Sequence, residues 1–172
     1  MSTIDTGKRG EYLVLAGLLK RGARVYVPVV DAEGIDAIVR RADGSFVELQ
    51  VKTASMSNKC PRWFQVTNLK PRPNFYILGV SLRDGEIWVI PSLVFAKYAT
   101  ISISKHGAEI CDLNLNGGQR KYGAALKDKL AEYCNAWHLI TQPTEADSVL
   151  NPVEASFAED WDSEADSVYD II

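Results

Sequence analysis

Three polar side chains alternate along the run Val47-Glu48-Leu49-Gln50-Val51-Lys52-Thr53, and a carboxylate, Asp36, stands in the preceding run Gly34-Ile35-Asp36-Ala37-Ile38-Val39. Strand alternation places Glu48, Gln50 and Lys52 on one face and Val47, Leu49 and Val51 on the other. The intervening turn decides whether Asp36 joins the polar face, because residues directly opposite in an antiparallel pair share a face. A two-residue Asp43-Gly44 loop sets Asp36 opposite Val51. A three-residue loop, Ala42-Asp43-Gly44, pairs Arg41 with Ser45 and sets Asp36 opposite Gln50, with Gly44 at the position of such a turn that needs positive φ. The second register is the expected one, and it gathers Asp36, Glu48, Gln50 and Lys52 into one polar cluster.

Such a cluster suits a hard divalent cation, Mg²⁺ or Mn²⁺, which takes oxygen ligands. The Asp36 carboxylate and the Gln50 side-chain carbonyl supply two, Glu48 is a candidate for a further one, and a backbone carbonyl near Val51 and water would complete the shell. A metal there would polarise a phosphodiester and lower the pKa of a bound water, while the Lys52 ammonium orients that water and balances developing charge. Glu11, on the first helix, would reach the same centre through a second water. The same alternation also fits an ordinary half-exposed strand with a Glu48–Lys52 ion pair on one face.

The elements that must position these groups are legible from periodicity and punctuation. A helix is expected from a Thr6 cap to about Arg21, stopped by Gly22, with Tyr12, Leu15, Leu18 and Leu19 on its buried face. Strands are expected at 24–29, 35–40, 46–53, 63–66, 74–82 and 87–90, the last two joined by an Arg83-Asp84-Gly85 turn. A loop should cover 54–62. Pro91-Ser92 opens a short helix to Tyr98, a hairpin spans 101–110, and a last helix runs over 121–137. Trp88, Phe95 and Trp137 read as core by their spacing. This order predicts an α/β (α+β) domain with a mixed central sheet flanked by helices.

The 172 residues suffice for one domain with a core. All 19 Lys and Arg lie before residue 141 with 13 of the 22 Asp and Glu, whereas 141–172 holds nine acidic and no basic residues. The expectation is a basic domain over 1–140 and an acidic, disordered tail over 141–172. Cys60, Cys111 and Cys134 are widely spaced and lack a CxxC pair, which argues against a zinc site and for free thiols in a reducing cytoplasm. The apolar run 13–19 follows Glu11 and ends at Lys20-Arg21, so it reads as a buried helix face and predicts neither a leader peptide nor a membrane span.

The runs Gly7-Lys8-Arg9-Gly10-Glu11, Leu19-Lys20-Arg21-Gly22-Ala23-Arg24-Val25, Gly34-Ile35-Asp36 and Leu49-Gln50-Val51-Lys52-Thr53 together resemble the PD-(D/E)XK nuclease superfamily. The pattern is most similar to its branch with Gln-x-Lys, which includes intron-encoded homing endonucleases, Mrr-like enzymes and resolvase-like proteins. The resemblance covers the first third of the chain. It implies a restriction-endonuclease-like fold, a Mg²⁺ (or Mn²⁺) dependent DNA endonuclease, and catalytic positions at Glu11, Asp36, Gln50 and Lys52. Ile35 stands where the superfamily's named Pro would be, and Glu48 leaves a second register, Glu48-x-Gln50, open.

Lys59, Arg62, Lys70 and Arg72, interleaved with Trp63 and Phe64, are candidates for DNA contact through phosphates and stacked bases, or for a solvated loop rim. A homodimer is what double-strand cleavage would call for. The competing function is a catalytically silent module with the nuclease fold, its acidic tail serving as a DNA mimic or docking a protein partner.

Overall fold

The computed structural model describes residues 3–30, 34–55, 60–116 and 126–142. The expected tail from Pro143 on, Lys59, and the first part of the expected last helix lie outside these residues. Among the described residues no helix is long and apolar enough to cross a membrane.

Helix α1 (Thr3–Lys20) begins three residues before the expected Thr6 cap. It ends as expected at Gly22, where the Ala23 amide bonds back to the Leu18 carbonyl and the Gly22 amide to that of Leu19. Its buried stripe is the expected one only in part. Gly10, Val14 and Leu18 face inward, whereas Tyr12 and Leu19 are exposed. Of the expected face Leu18 is buried and Leu15 packs against the core; the stripe departs from it at Tyr12 and Leu19 because it passes through glycines, Gly10 and Gly17, that apolar patterning does not register. A methyl at Gly17 would lie 2.7 Å from the Trp137 ring, so glycine there admits the indole.

The central sheet has the order β1-β2-β3-β5-β6, built from β1 (Arg24–Tyr26), β2 (Ala37–Arg40), β3 (Phe46–Ala54), β5 (Phe75–Ser81) and β6 (Glu86–Pro91). Strands β3 and β5 are parallel and the other neighbours antiparallel, which makes the sheet mixed, as the sequence predicts. Strand β1 is shorter than expected and leaves Val27, Val29 and Val30 exposed in the following segment. A second, antiparallel sheet orders β4 (Trp63–Thr67), β8 (Glu109–Asn114) and β7 (Thr100–Ile103).

The two faces of the central sheet bury separate cores. Val14 and Leu18 of α1 pack on Val47, Leu49 and Val51 together with Trp137 and Ile140. On the opposite face Phe64 and Leu113 of the second sheet meet Ile77, Trp88, Ile90 and Phe95 of α2 (Ser92–Tyr98). All seven residues of β5 are buried, as a central strand covered on both sides requires.

One expected feature is corrected. Residues 126–141 do not form one helix: α3 (Leu126–Lys129), a 3-10 turn (Ala131–Tyr133) and α4 (His138–Thr141) follow one another. Asn135, in left-handed conformation at φ +55°, breaks the path, and Cys134 instead forms a β-bridge with Trp88. Helix α2 runs from the expected Pro91-Ser92 start to Tyr98 with Pro91 as its N-cap, which leaves the side chain of Ser92 for another use. Its buried hydroxyl accepts from the Arg72 amide at 3.0 Å and donates to the Arg72 carbonyl at 2.8 Å, tying the segment before β5 to the end of β6.

Candidate active site

The β2–β3 hairpin closes on the expected three-residue loop. The Arg41 amide donates to the Ser45 carbonyl at 2.8 Å, the Gly44 amide to the Arg41 carbonyl at 3.1 Å, and Gly44 has φ +88°. Asp43 fixes the turn by accepting the Ser45 amide at 2.9 Å and hydroxyl at 2.7 Å. The register runs from Arg40↔Phe46 to Ala37↔Leu49 and stops there: the Asp36 amide donates to the Leu49 carbonyl at 2.8 Å, so the expected pairing of Asp36 with Gln50 does not form.

Strand β2 ends at Ala37, but β3 continues to Ala54 against β5 alone. One backbone edge of β3 is therefore open just where Gln50 and Lys52 project. Asp36 stands at the mouth of this opening and its Oδ2 accepts the Val51 amide at 2.6 Å. An N–H and C=O of one strand residue point out of the same edge, so the Val51 carbonyl faces the same opening. Lys52 is half-buried, on the polar face of β3 with Gln50, and its side chain makes no hydrogen bond or ion pair among the described residues.

Asp36 shares a recess of about 390 Å³ with Gly7, Lys8 and Glu11 of α1 and with Val27 and Ile35. Glu11 thus reaches the Asp36 neighbourhood as expected. The Lys8 ammonium lies 2.6 Å from Glu11 Oε2, and that bond, with a smaller contribution from Asp36, holds the ammonium above its ordinary pKa. Sequence reading assigned no role to Lys8, although its i,i+3 spacing from Glu11 was a signal that the two would meet.

Gln50 is buried and lines a second recess, of about 340 Å³, with Gly34, Thr67, Asn68, Lys70 and Arg72. The two recesses lie on either side of the 34–36 segment, so Asp36 and Gln50 are neighbours that open in different directions. Glu48 is not paired with Lys52. It accepts two hydrogen bonds from the guanidinium of Arg72, one from Nε at 2.8 Å and a shorter one from Nη2. Arg72 also stacks 4.2 Å over the Phe75 ring. With its backbone held by Ser92, Arg72 is fixed at the rim beside Lys70.

Arg62 lies elsewhere. Its Nε donates to Glu86 at 2.5 Å and its Nη2 sits 3.1 Å from Asp84, while Lys127 approaches Glu86 at 3.4 Å. Trp63 donates its indole N–H to Asp112 at 3.0 Å. The hydrogen bond from Arg62 holds the Glu86 carboxyl below the ordinary glutamate range. A depressed carboxyl pKa stabilises the fold above its unfolded value, and that contribution disappears as pH falls through the folded value. Glu86→Gln is therefore expected to cost about 1 kcal/mol at neutral pH and to flatten the loss of stability on acidification below about pH 4.5. Urea unfolding followed from neutral pH into that range checks this; identical acid slopes for the two proteins would refute it.

No three His, Cys, Asp or Glu residues gather in a metal-holding group among the described residues. The donors around the Asp36 recess are two carboxylates and one backbone carbonyl, all hard oxygen. That set fits Mg²⁺ or Mn²⁺, which keep several waters and take remaining ligands from a phosphate, better than an ion needing a complete protein cage. The three cysteines form no disulfide with one another, and burial pushes the Cys111 and Cys134 thiols up, as suits packing residues.

No family profile matches the chain, and no curated protein sequence does. The fold is similar to the solved structure of a bacterial homing endonuclease, with TM-score 0.56 and 21% identity, over 81% of this chain and 93% of that one.

Proposed function

We propose that the chain is a metal-dependent DNA endonuclease of the PD-(D/E)XK type, in the Gln-x-Lys branch, hydrolysing phosphodiester bonds. The observation that carries this reading is the open edge of β3: Asp36 caps it through the Val51 amide while Gln50 and Lys52 project beside it. The fold shared with a homing endonuclease supports the same reading.

Asp36, Glu11 and the Val51 carbonyl would hold Mg²⁺ or Mn²⁺. Bound there, the ion would supply Lewis-acid polarisation of the phosphate and a more acidic water. Lys52 holds the attacking water's oxygen and balances the charge that builds on the phosphate as one ester oxygen leaves. Gln50, expected as a further ligand, opens to the neighbouring recess, where its amide would meet the DNA backbone. Lys70 and the braced Arg72 supply positive charge on the DNA backbone at the neighbouring recess.

Supercoiled plasmid incubated with Mg²⁺, Mn²⁺ or EDTA tests the proposal. Nicking or linearisation is expected with either metal and none with EDTA. DNA binding without cleavage under all three conditions would favour the silent module instead.

A further inference from the structure

Among the described residues lining the recess that holds Asp36 and Glu11, Lys8 is the one cation. Its side chain is 61% exposed, so no packing demand places it there, yet its ammonium sits 2.6 Å from a Glu11 carboxylate that is only 25% exposed. An i,i+3 surface pair of this kind contributes little to helix stability. Its position matters more than its strength: it occupies one of the two carboxylates that a divalent cation in this recess would need.

We propose that Lys8 is a resident counter-cation of the site, neutralising Glu11 in the metal-free protein and released when a divalent cation takes that carboxylate. This rests on the metal-binding reading above and adds to it a competition between an internal cation and the metal. The released ammonium, still at the mouth of the recess, is then available to the DNA phosphate that the metal also contacts. Lys8 is thus a positioning residue: it raises the metal concentration at which the site fills.

Isothermal titration of Mn²⁺ into the full chain at low ionic strength, without DNA, tests this. Removing a unit positive charge within a few ångströms of a dication should tighten Mn²⁺ binding by about tenfold in Lys8→Met. Lys8→Arg keeps the charge and should return the affinity to that of the wild type. Asp36→Asn should lose most of the binding. If Lys8→Met binds Mn²⁺ no more tightly than wild type while Asp36→Asn still loses it, the counter-cation role is overturned and the metal site stands. If neither the wild type nor Lys8→Met takes up Mn²⁺ at millimolar concentration, both readings fall.

Discussion

Asp36→Asn is expected to lower the single-turnover rate of plasmid cleavage in saturating Mg²⁺ by about 10³-fold or more, while leaving thermal stability close to that of the wild type. The size follows from losing the charged ligand of the metal and its action on both phosphate and water. The choice of asparagine follows from the structure. Asp36 does two things at once: it offers a charge to the recess and it accepts the Val51 amide at 2.6 Å. Alanine would remove both and leave a partly buried N–H unsatisfied, at a cost of about 1–3 kcal/mol, so that lost cleavage could be ascribed to a frayed β3 edge. Asparagine keeps an acceptor for Val51 and removes the charge. Lys52→Met, at a side chain with no partner among the described residues, should cost about 10²-fold or more without destabilising the fold. Cleavage within tenfold of wild type by either variant would remove that residue from the catalytic assignment.

The hairpin shows what made part of the site legible. Its register depended on one turn, and Gly44, at φ +88°, marks that turn but fits a two-residue or a three-residue loop alike; Asp43, accepting the Ser45 amide and hydroxyl, closes the longer one. Parity then carried the register as far as Ala37↔Leu49, but the bond from the Asp36 amide to the Leu49 carbonyl, which parity does not show, takes Asp36 off the Gln50 position. Cation partners were not legible in this way. Glu48 and Arg72 are separated by 24 residues, as are Arg62 and Glu86; the first pair meets because β5 returns alongside β3, and the second because the sheet that holds β4 packs on the one that holds β6. A periodic pattern records which face a residue takes, not which distant side chain will be waiting there. The last helix failed for a related reason. Leu126, Leu130 and Trp137 are buried at helical spacing, but Leu126 and Leu130 enter one core and Trp137 the other, because Asn135 turns the chain and Cys134 extends the β6 edge. Burial at a helical interval is necessary for an amphipathic helix and not sufficient for one.

The glycines of α1 lead to the second large effect, a contrast between two substitutions three residues apart. On an exposed helix Gly→Ala stabilises by about 0.5–1 kcal/mol, since alanine loses less backbone freedom on folding. Gly7→Ala should behave so, because a methyl there meets nothing within 4 Å. Gly10→Ala should do the reverse. Its methyl would lie 1.9 Å from Thr53 Oγ1, 2.9 Å from Thr53 Cβ and 3.0 Å from Thr53 Cγ2. Rotation of the threonine cannot clear all three atoms, so α1 must lift from β3. Overpacking of this kind costs about 1–3 kcal/mol beyond the propensity gain, and a net loss of about 2 kcal/mol is expected in urea unfolding. The displacement also moves Glu11, the next residue, away from Asp36, so cleavage should fall by about tenfold or more even where the variant is fully folded. Thr53→Ala in the same chain removes two of the three opposing atoms and should recover part of both losses. A Gly10→Ala protein as stable and as active as wild type would show that the close approach of α1 to β3 is not what seats Glu11 at the site.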